Sequence, residues 1–190
     1  MAPLAVVFIL LKMTGFLVFG LCCVPEEVPN GLDQMEALML TETIKTDLKQ
    51  SVLCWLATVD AVGQPNVSPK EIFCLDGSDA LVIANIASPV SARNIMANAS
   101  VCVSFVDIFR QRGFKLQGQA RLILPHDPEF AIKGHELINK AGPDFIIQSL
   151  FYIRITNVRR ILAPSYSIFP DRTVEEHMAN SYKTYGVSPA

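Results

Sequence analysis

Few residues in this chain are suited to several common kinds of site. Among 190 residues there are three histidines, one tryptophan and five cysteines. The cysteines form no C-x-x-C pair and have no neighbouring histidine ligand pattern, which excludes the usual zinc modules. Cys22 and Cys23 are adjacent, and Cys54, Cys74 and Cys102 lie far apart in apolar stretches. That pattern is not a disulfide framework and reads as buried small hydrophobes. Basic excess is also missing: Lys plus Arg is 16 against 18 for Asp plus Glu, a net charge of −2. A protein held on nucleic acid by phosphate contacts would carry the opposite balance. Internal repeats and low-complexity tracts are absent. Hydrophobic residues make up 51% of the chain, so it has the material for a packed core and is not intrinsically disordered.

Mean hydropathy is +0.34, and much of that surplus comes from residues 1–24, where Lys12 is the only charge. Three readings stay open for this leader: a secretory signal, a membrane anchor, or an extension outside the working protein. The segment Met1-Ala2-Pro3-Leu4 lacks the positive start of a signal. Residues 4–24 reach the roughly 20 needed to span a bilayer. Against a span, Lys12 near the middle costs about 2.5 to 3.5 kcal/mol. Met35 and Met39 would allow a later start. We therefore divide the chain into a leader of uncertain status, 1–38, and a domain, 39–190. The domain is expected in the cytoplasm, and on a membrane or exported only if the leader is retained or processed as such.

The domain reads as α+β, mainly antiparallel. Leu40, Ile44 and Leu48 recur every four residues and predict a helix over 40–50. Strands are predicted at 53–59, 65–75, 81–86, 101–105, 113–124 and 151–162, with a turn at Asp76-Gly77-Ser78-Asp79. Gly118 suggests a bulge or a close backbone approach. Asp127-Pro128 predicts a helix start, and Thr173 to Glu176 fits a capping box. The strands follow one another as hairpins rather than alternating with helices, which argues for an antiparallel sheet or small barrel and against a Rossmann fold.

Two segments carry the chemistry. In Asn85-Ile-Ala-Ser88-Pro89-Val-Ser91-Ala-Arg93-Asn94, a strand ends and a helix begins at Ser88-Pro89. The free N–H groups of that helix start, two hydroxyls and Arg93 together make a phosphate-sized set of donors. A normally capped surface helix is the plainer alternative. In Asn66-Val-Ser68-Pro69-Lys70-Glu71-Ile72, Pro69 removes a ladder donor, so this strand lies at a sheet edge or faces a ligand. His126, His135 and His177 all fall in or beside predicted surface helices, where a solvated role is expected, and no side chain stands out as a general acid or base.

In order and spacing, Leu56-Ala-Thr-Val-Asp60, Gly63-Gln-Pro65, Ser68-Pro-Lys70, the strand ending at Asn85, Ser91-Ala-Arg93-Asn94-Ile95 and Gly118-Gln-Ala120 resemble the pyridoxamine 5′-phosphate oxidase-like family. The resemblance covers about Leu40 to Leu162. It implies a six-stranded FMN-binding split barrel with short flanking helices. It further implies a homodimer holding FMN in a groove between subunits, and flavin-dependent oxidation or reduction of a small molecule. A flavin-binding or storage protein, or one holding deazaflavin or haem in the same groove, is the alternative. By position, Ser68, Pro69, Lys70, Glu71 and Ile72 match the strand along the flavin, and Ile83, Ala84 and Asn85 match the next contacting strand. Ser88, Ser91, Arg93 and Asn94 match the phosphate-binding turn, while Arg112 and Lys115 would be contributed across the dimer. Ala163 to Tyr166 would line the flavin face or pack as a tail. Two departures argue against pyridoxamine phosphate oxidation itself. Phe73 stands where the family's vitamer oxidases carry a substrate-binding lysine, and the C-terminal Trp and Arg-x-His closing segment is missing.

Overall fold

The computed structural model describes residues 40–188; the leader readings fall outside them. Among the described residues no helix is long and apolar enough to cross a membrane. The first element, α1 (Glu42–Gln50), is capped by the Thr41 hydroxyl, which accepts the Ile44 N–H at 3.4 Å. Ile44 and Leu48, with Leu40 just before the helix, go into the core as their spacing predicts.

Seven strands then form one antiparallel sheet: β1 (Cys54–Val59), β2 (Pro65–Lys70), β3 (Phe73–Asp76), β4 (Ala80–Asn85), β5 (Ser100–Asp107), β6 (Arg112–Ile123) and β7 (Ser149–Leu162), in the order β2-β1-β5-β6-β7-β4-β3. The single strand expected over 65–75 is thus two. It pairs with β1 through Lys70, then leaves that ladder at Glu71-Ile72 and pairs with β4 from Phe73. The two edges of the sheet are therefore consecutive in the chain. Only Glu71 and Ile72 join those two edges, so the sheet curls and nearly closes, and the Ala84 N–H to Ile72 carbonyl bond at 2.9 Å extends the β3–β4 ladder up to the junction. Pro69 suits the edge position because its missing N–H costs no ladder bond there.

All of β4 is buried, because its two faces meet two cores. Leu81 and Ile83 point into the barrel with Leu56, Val103, Phe105, Leu116 and Phe151. Val82 and Ala84 point outward, under Leu137 and Ala141 of helix α3 (Phe130–Ala141). Strand alternation makes this division, and the continuous apolar run Ala80-Leu-Val-Ile-Ala84 is its signature.

Two local predictions need correction, those for the start of α3 and for His177, while the irregularity and close approach expected at Gly118 are present. Helix α3 begins at Phe130 rather than at Asp127, because the Asp127 carboxylate accepts the Leu124 N–H at 2.6 Å and closes a turn ahead of the helix. The irregularity at Gly118 is a register shift in which Thr156 of β7 is the extra residue; Gly118 supplies the close approach opposite it. Finally, His177 is not solvated. It sits at 3% exposure on α5 (Val174–Tyr185), with its ring stacked 4.0 Å from Tyr166 of α4 (Ser165–Ile168). The capping box at Thr173 and Glu176 and the left-handed turn at Gly77 (φ +69°) are formed as read.

Candidate functional site

The junction between the two sheet edges leaves a groove of about 430 Å³. Its lining combines polar groups, from Ser68, Lys70 and Ser88, with apolar ones, from Pro69, Ile72, Ala84, Ile86 and Phe145, and Glu71 is exposed beside them. Helix α2 (Pro89–Ala97) starts directly after Ser88.

Lys70 is 7% exposed, yet no carboxylate lies within ion-pair reach of it among the described residues. Its ammonium donates to the Ser88 hydroxyl at 2.6 Å and to the Pro69 carbonyl at 3.1 Å. Burial lowers its pKa from the ordinary lysine value, because desolvation penalises the charged form, and the nearby Cys54 thiol pushes weakly the other way. That thiol is no counter-ion: burial pushes Cys54 up to about 12, and Cys74 up to about 11, so both stay protonated at neutral pH. A buried cation without an anion is a costly arrangement, and it is found where a ligand supplies the missing charge.

The helix start adds to this. Ser88 occupies the cap position of α2 but makes no side-chain cap bond; its oxygen accepts from Lys70 instead. The first helical bond is Ala92 N–H to Ser88 C=O at 3.1 Å, which leaves the N–H groups of Val90 and Ser91 to point out of the helix end. The turn before it is held by Asn85, whose amide oxygen accepts the Ser88 N–H at 3.0 Å and whose amide nitrogen donates to Ser149 at 2.9 Å.

Ser91 and Asn94 face inward. The Ser91 hydroxyl lies 3.1 Å from that of Ser68 and accepts from Asn66 at 3.3 Å, while Asn94 donates to the buried Thr58 hydroxyl at 3.1 Å. They orient α2 over β1 and β2 and are not free ligand donors. Arg93 is exposed one turn into α2, with no ion pair among the described residues. Ile83 keeps its side chain in the barrel core, so of the β4 positions Ala84 lines the groove and Asn85 frames it.

The remaining predicted positions lie elsewhere in the protomer. Arg112 reaches Asp47 of α1 at 3.4 Å, and Lys115 is exposed on the outward face of β6. The segment 163–166 packs at that same end, where Tyr166 donates its hydroxyl hydrogen to the Arg110 carbonyl at 2.7 Å, so it does not line the groove of its own chain. Phe73 packs in the core and is not among the residues that line this groove. Two contributors escaped sequence reading. Thr58 looks like any β-branched strand residue, and Phe145 sits in a loop without a motif.

The fold and site together define a nearly closed antiparallel barrel with a groove at its seam that holds a buried lysine without a carboxylate partner among the described residues. Residues 40–161 match the family model described as pyridoxamine 5′-phosphate oxidase, and the chain belongs to that family. Its fold is similar to that of HupZ from Group A Streptococcus (24% identity, TM-score 0.57, covering 66% of this chain and 96% of that one). It is also similar to an FMN-binding protein from Syntrophomonas wolfei (14%, 0.57, 69% and 90%) and to General Stress Protein 26 from Bacillus anthracis (18%, 0.51, 63% and 92%). A search of curated proteins finds no significant match.

Proposed function

We propose that this protein binds FMN in the groove at the barrel seam and acts as a flavin-dependent oxidoreductase on a small molecule. The observation that carries the reading is Lys70: a buried ammonium lacking an anion, beside an uncapped helix start, in a groove that is otherwise lined largely by apolar side chains. That donor set fits a phosphate, and the apolar lining fits a planar ring. Membership of the family and the FMN-binding relative of the same fold support the choice of flavin. When bound, the flavin supplies the electron or hydride step, and the protein supplies orientation and electrostatics. Lys70, Ser88 and the Val90 and Ser91 N–H groups would hold the phosphate, Arg93 would add an outer cation, and Ile72, Ile86 and Phe145 would exclude water from the ring. The mutual bonds of Ser68, Ser91, Asn66 and Thr58 keep the helix start aimed at the groove.

A homodimer belongs to the same reading. Pro69, Trp55, Ser104, Lys115 and Arg159 stand in one row across the outward face of five strands. The adjacent row begins Val67, Ala57, Cys102. The face is thus apolar at the β2 side, next to the groove, and basic at the β6 side. A second copy docked on the apolar half would bury Trp55 and Val67 and could carry its own Lys115 or Arg112 toward the neighbouring groove.

The test is direct. The purified protein should be yellow, release FMN by mass, and run as a dimer in light scattering. A colourless protein that takes up no FMN overturns the proposal, and extracted haem or deazaflavin replaces the cofactor. If bound FMN is never reduced by NADH, NADPH or another donor, a storage role replaces catalysis. Arg93→Ala should weaken FMN binding about tenfold, the low end for a hydrogen bond to a charged group because Arg93 is solvated. Unchanged affinity in a fluorescence titration would remove Arg93 from the site.

A further inference from the structure

Phe145 is the one aromatic side chain on the wall of the groove, and it is 55% exposed. An apolar ring left in water on the wall of a half-apolar groove has unused contact surface. Its neighbours show that this is not a loose loop. Gly142, at φ +68°, ends α3 by donating its N–H to the Ile138 carbonyl at 3.1 Å. Ile147 is buried in the core beneath α3, and the Gln148 N–H donates to the Asn85 carbonyl at 2.8 Å. The backbone is therefore anchored just after Phe145, and anchored to Asn85, the residue that also holds Ser88. Asn85 thus ties the segment that carries Phe145 to Ser88, the residue that accepts from Lys70.

We propose that Phe145 is the specificity-determining residue of the groove, stacking on a planar heteroaromatic ring carried by a phosphorylated occupant. This rests on the FMN reading above and adds to it the residue that recognises the ring. In this reading Lys70 and Ser88 take the anion and Phe145 takes the ring, and the segments that carry Ser88 and Phe145 are both bonded to Asn85. A phosphorylated compound without a ring would use only the anion contacts. Offset stacking of aromatic planes favours rings over aliphatic groups of equal area.

The test uses the full chain and FMN itself. Phe145→Ala should raise the FMN Kd about tenfold, Phe145→Trp should restore it to within about threefold, and the neighbouring Ile146→Ala should leave it unchanged. The indole in Phe145→Trp should also shorten the fluorescence lifetime of bound FMN sharply, a response that follows only if the side chain touches the ring. Because Phe145 and Ile146 are both exposed, thermal melts of the three variants should match that of the wild type. If the wild type takes up no FMN, the FMN reading and this one fall together. If the wild type binds FMN but Phe145→Ala binds it equally, or Ile146→Ala loses as much, or the lifetime in Phe145→Trp does not change, the Phe145 assignment alone falls.

Discussion

Lys70→Met should cost FMN about a hundredfold in affinity, about 2.7 kcal/mol, since a charged hydrogen-bond partner of the phosphate is lost from a buried position. The same substitution should make the ligand-free protein more stable. It removes an ammonium that is desolvated without an anion and replaces it with an unbranched side chain of similar length. A gain of about 1 kcal/mol would raise Tm by roughly 2 to 4 °C. These opposite signs separate a ligand-binding lysine from a structural one, whose loss would lower both quantities.

The pH dependence follows from the lowered pKa. Below the folded pKa both folded and unfolded chains hold the proton, and the folded state bears the full penalty of a buried charge. As pH rises through the folded pKa the folded chain releases its proton first, so the Lys70 penalty is relieved between that pKa and the ordinary lysine value of 10.5. Over the same window the neutral amine no longer attracts phosphate, so the FMN Kd should rise with pH in the wild type and stay flat in Lys70→Met. Calorimetric titration above pH 8, where the phosphate is already fully charged, reads this when wild type and Lys70→Met are compared, because ionisation of the ligand is common to both. A flat wild-type profile would show that the Lys70 charge does not act on the ligand.

Gly118→Val should destabilise the fold by about 3 kcal/mol, the upper part of the range for overpacking. A side-chain carbon at Gly118 would stand 2.3 Å from the Arg154 carbonyl oxygen and 3.0 Å from its carbon. Those are backbone atoms of the paired strand and cannot rotate away. The clash falls where β6 and β7 shift register around Thr156, whose hydroxyl donates to the Gln117 carbonyl at 3.3 Å. For a chain of this size the loss corresponds to roughly 10 °C in Tm. An unchanged melting midpoint would show that the two strands part without cost. FMN affinity of the surviving folded protein should be unaffected, because Gly118 is not among the groove-lining residues.

These two positions also show how far local reading reaches. Gly118 stands out in the sequence because glycine weakens a strand interior unless something approaches closely. What approached it, and the placing of the extra residue on the opposite strand, depended on a pairing partner more than thirty residues away. Lys70 is visible beside Pro69 as an anomaly in a strand, but alternation alone left it open whether it met solvent or a pocket. The split of 65–75 into two strands was illegible for a similar reason. Its composition is continuous, and only the closing of β4 against Ile72 shows where the chain changes partners. His177 was misjudged because helix periodicity does not reveal that Tyr166, eleven residues earlier, folds back over it. Phe145 had no local signal, since exposed aromatics in loops are common and its meaning comes from Asn85.

What the sequence by itself determined is most of the elements and the start of α2 at the groove. Hydrophobic alternation marked most of the strands, the Thr173 capping box opened α5, and Ser88-Pro89 opened α2, all through interactions spanning a few residues. The order and spacing of those motifs also sufficed to place the chain in its family. The tertiary structure alone decided the rest: that β2 and β3 become opposite edges of one sheet, that Ser91 and Asn94 turn inward while Lys70 is left without an anion, and that an aromatic ring joins Lys70 and Ser88 in the lining of one groove. Each of these is a juxtaposition of distant segments, set by which faces had to be buried together when the sheet closed.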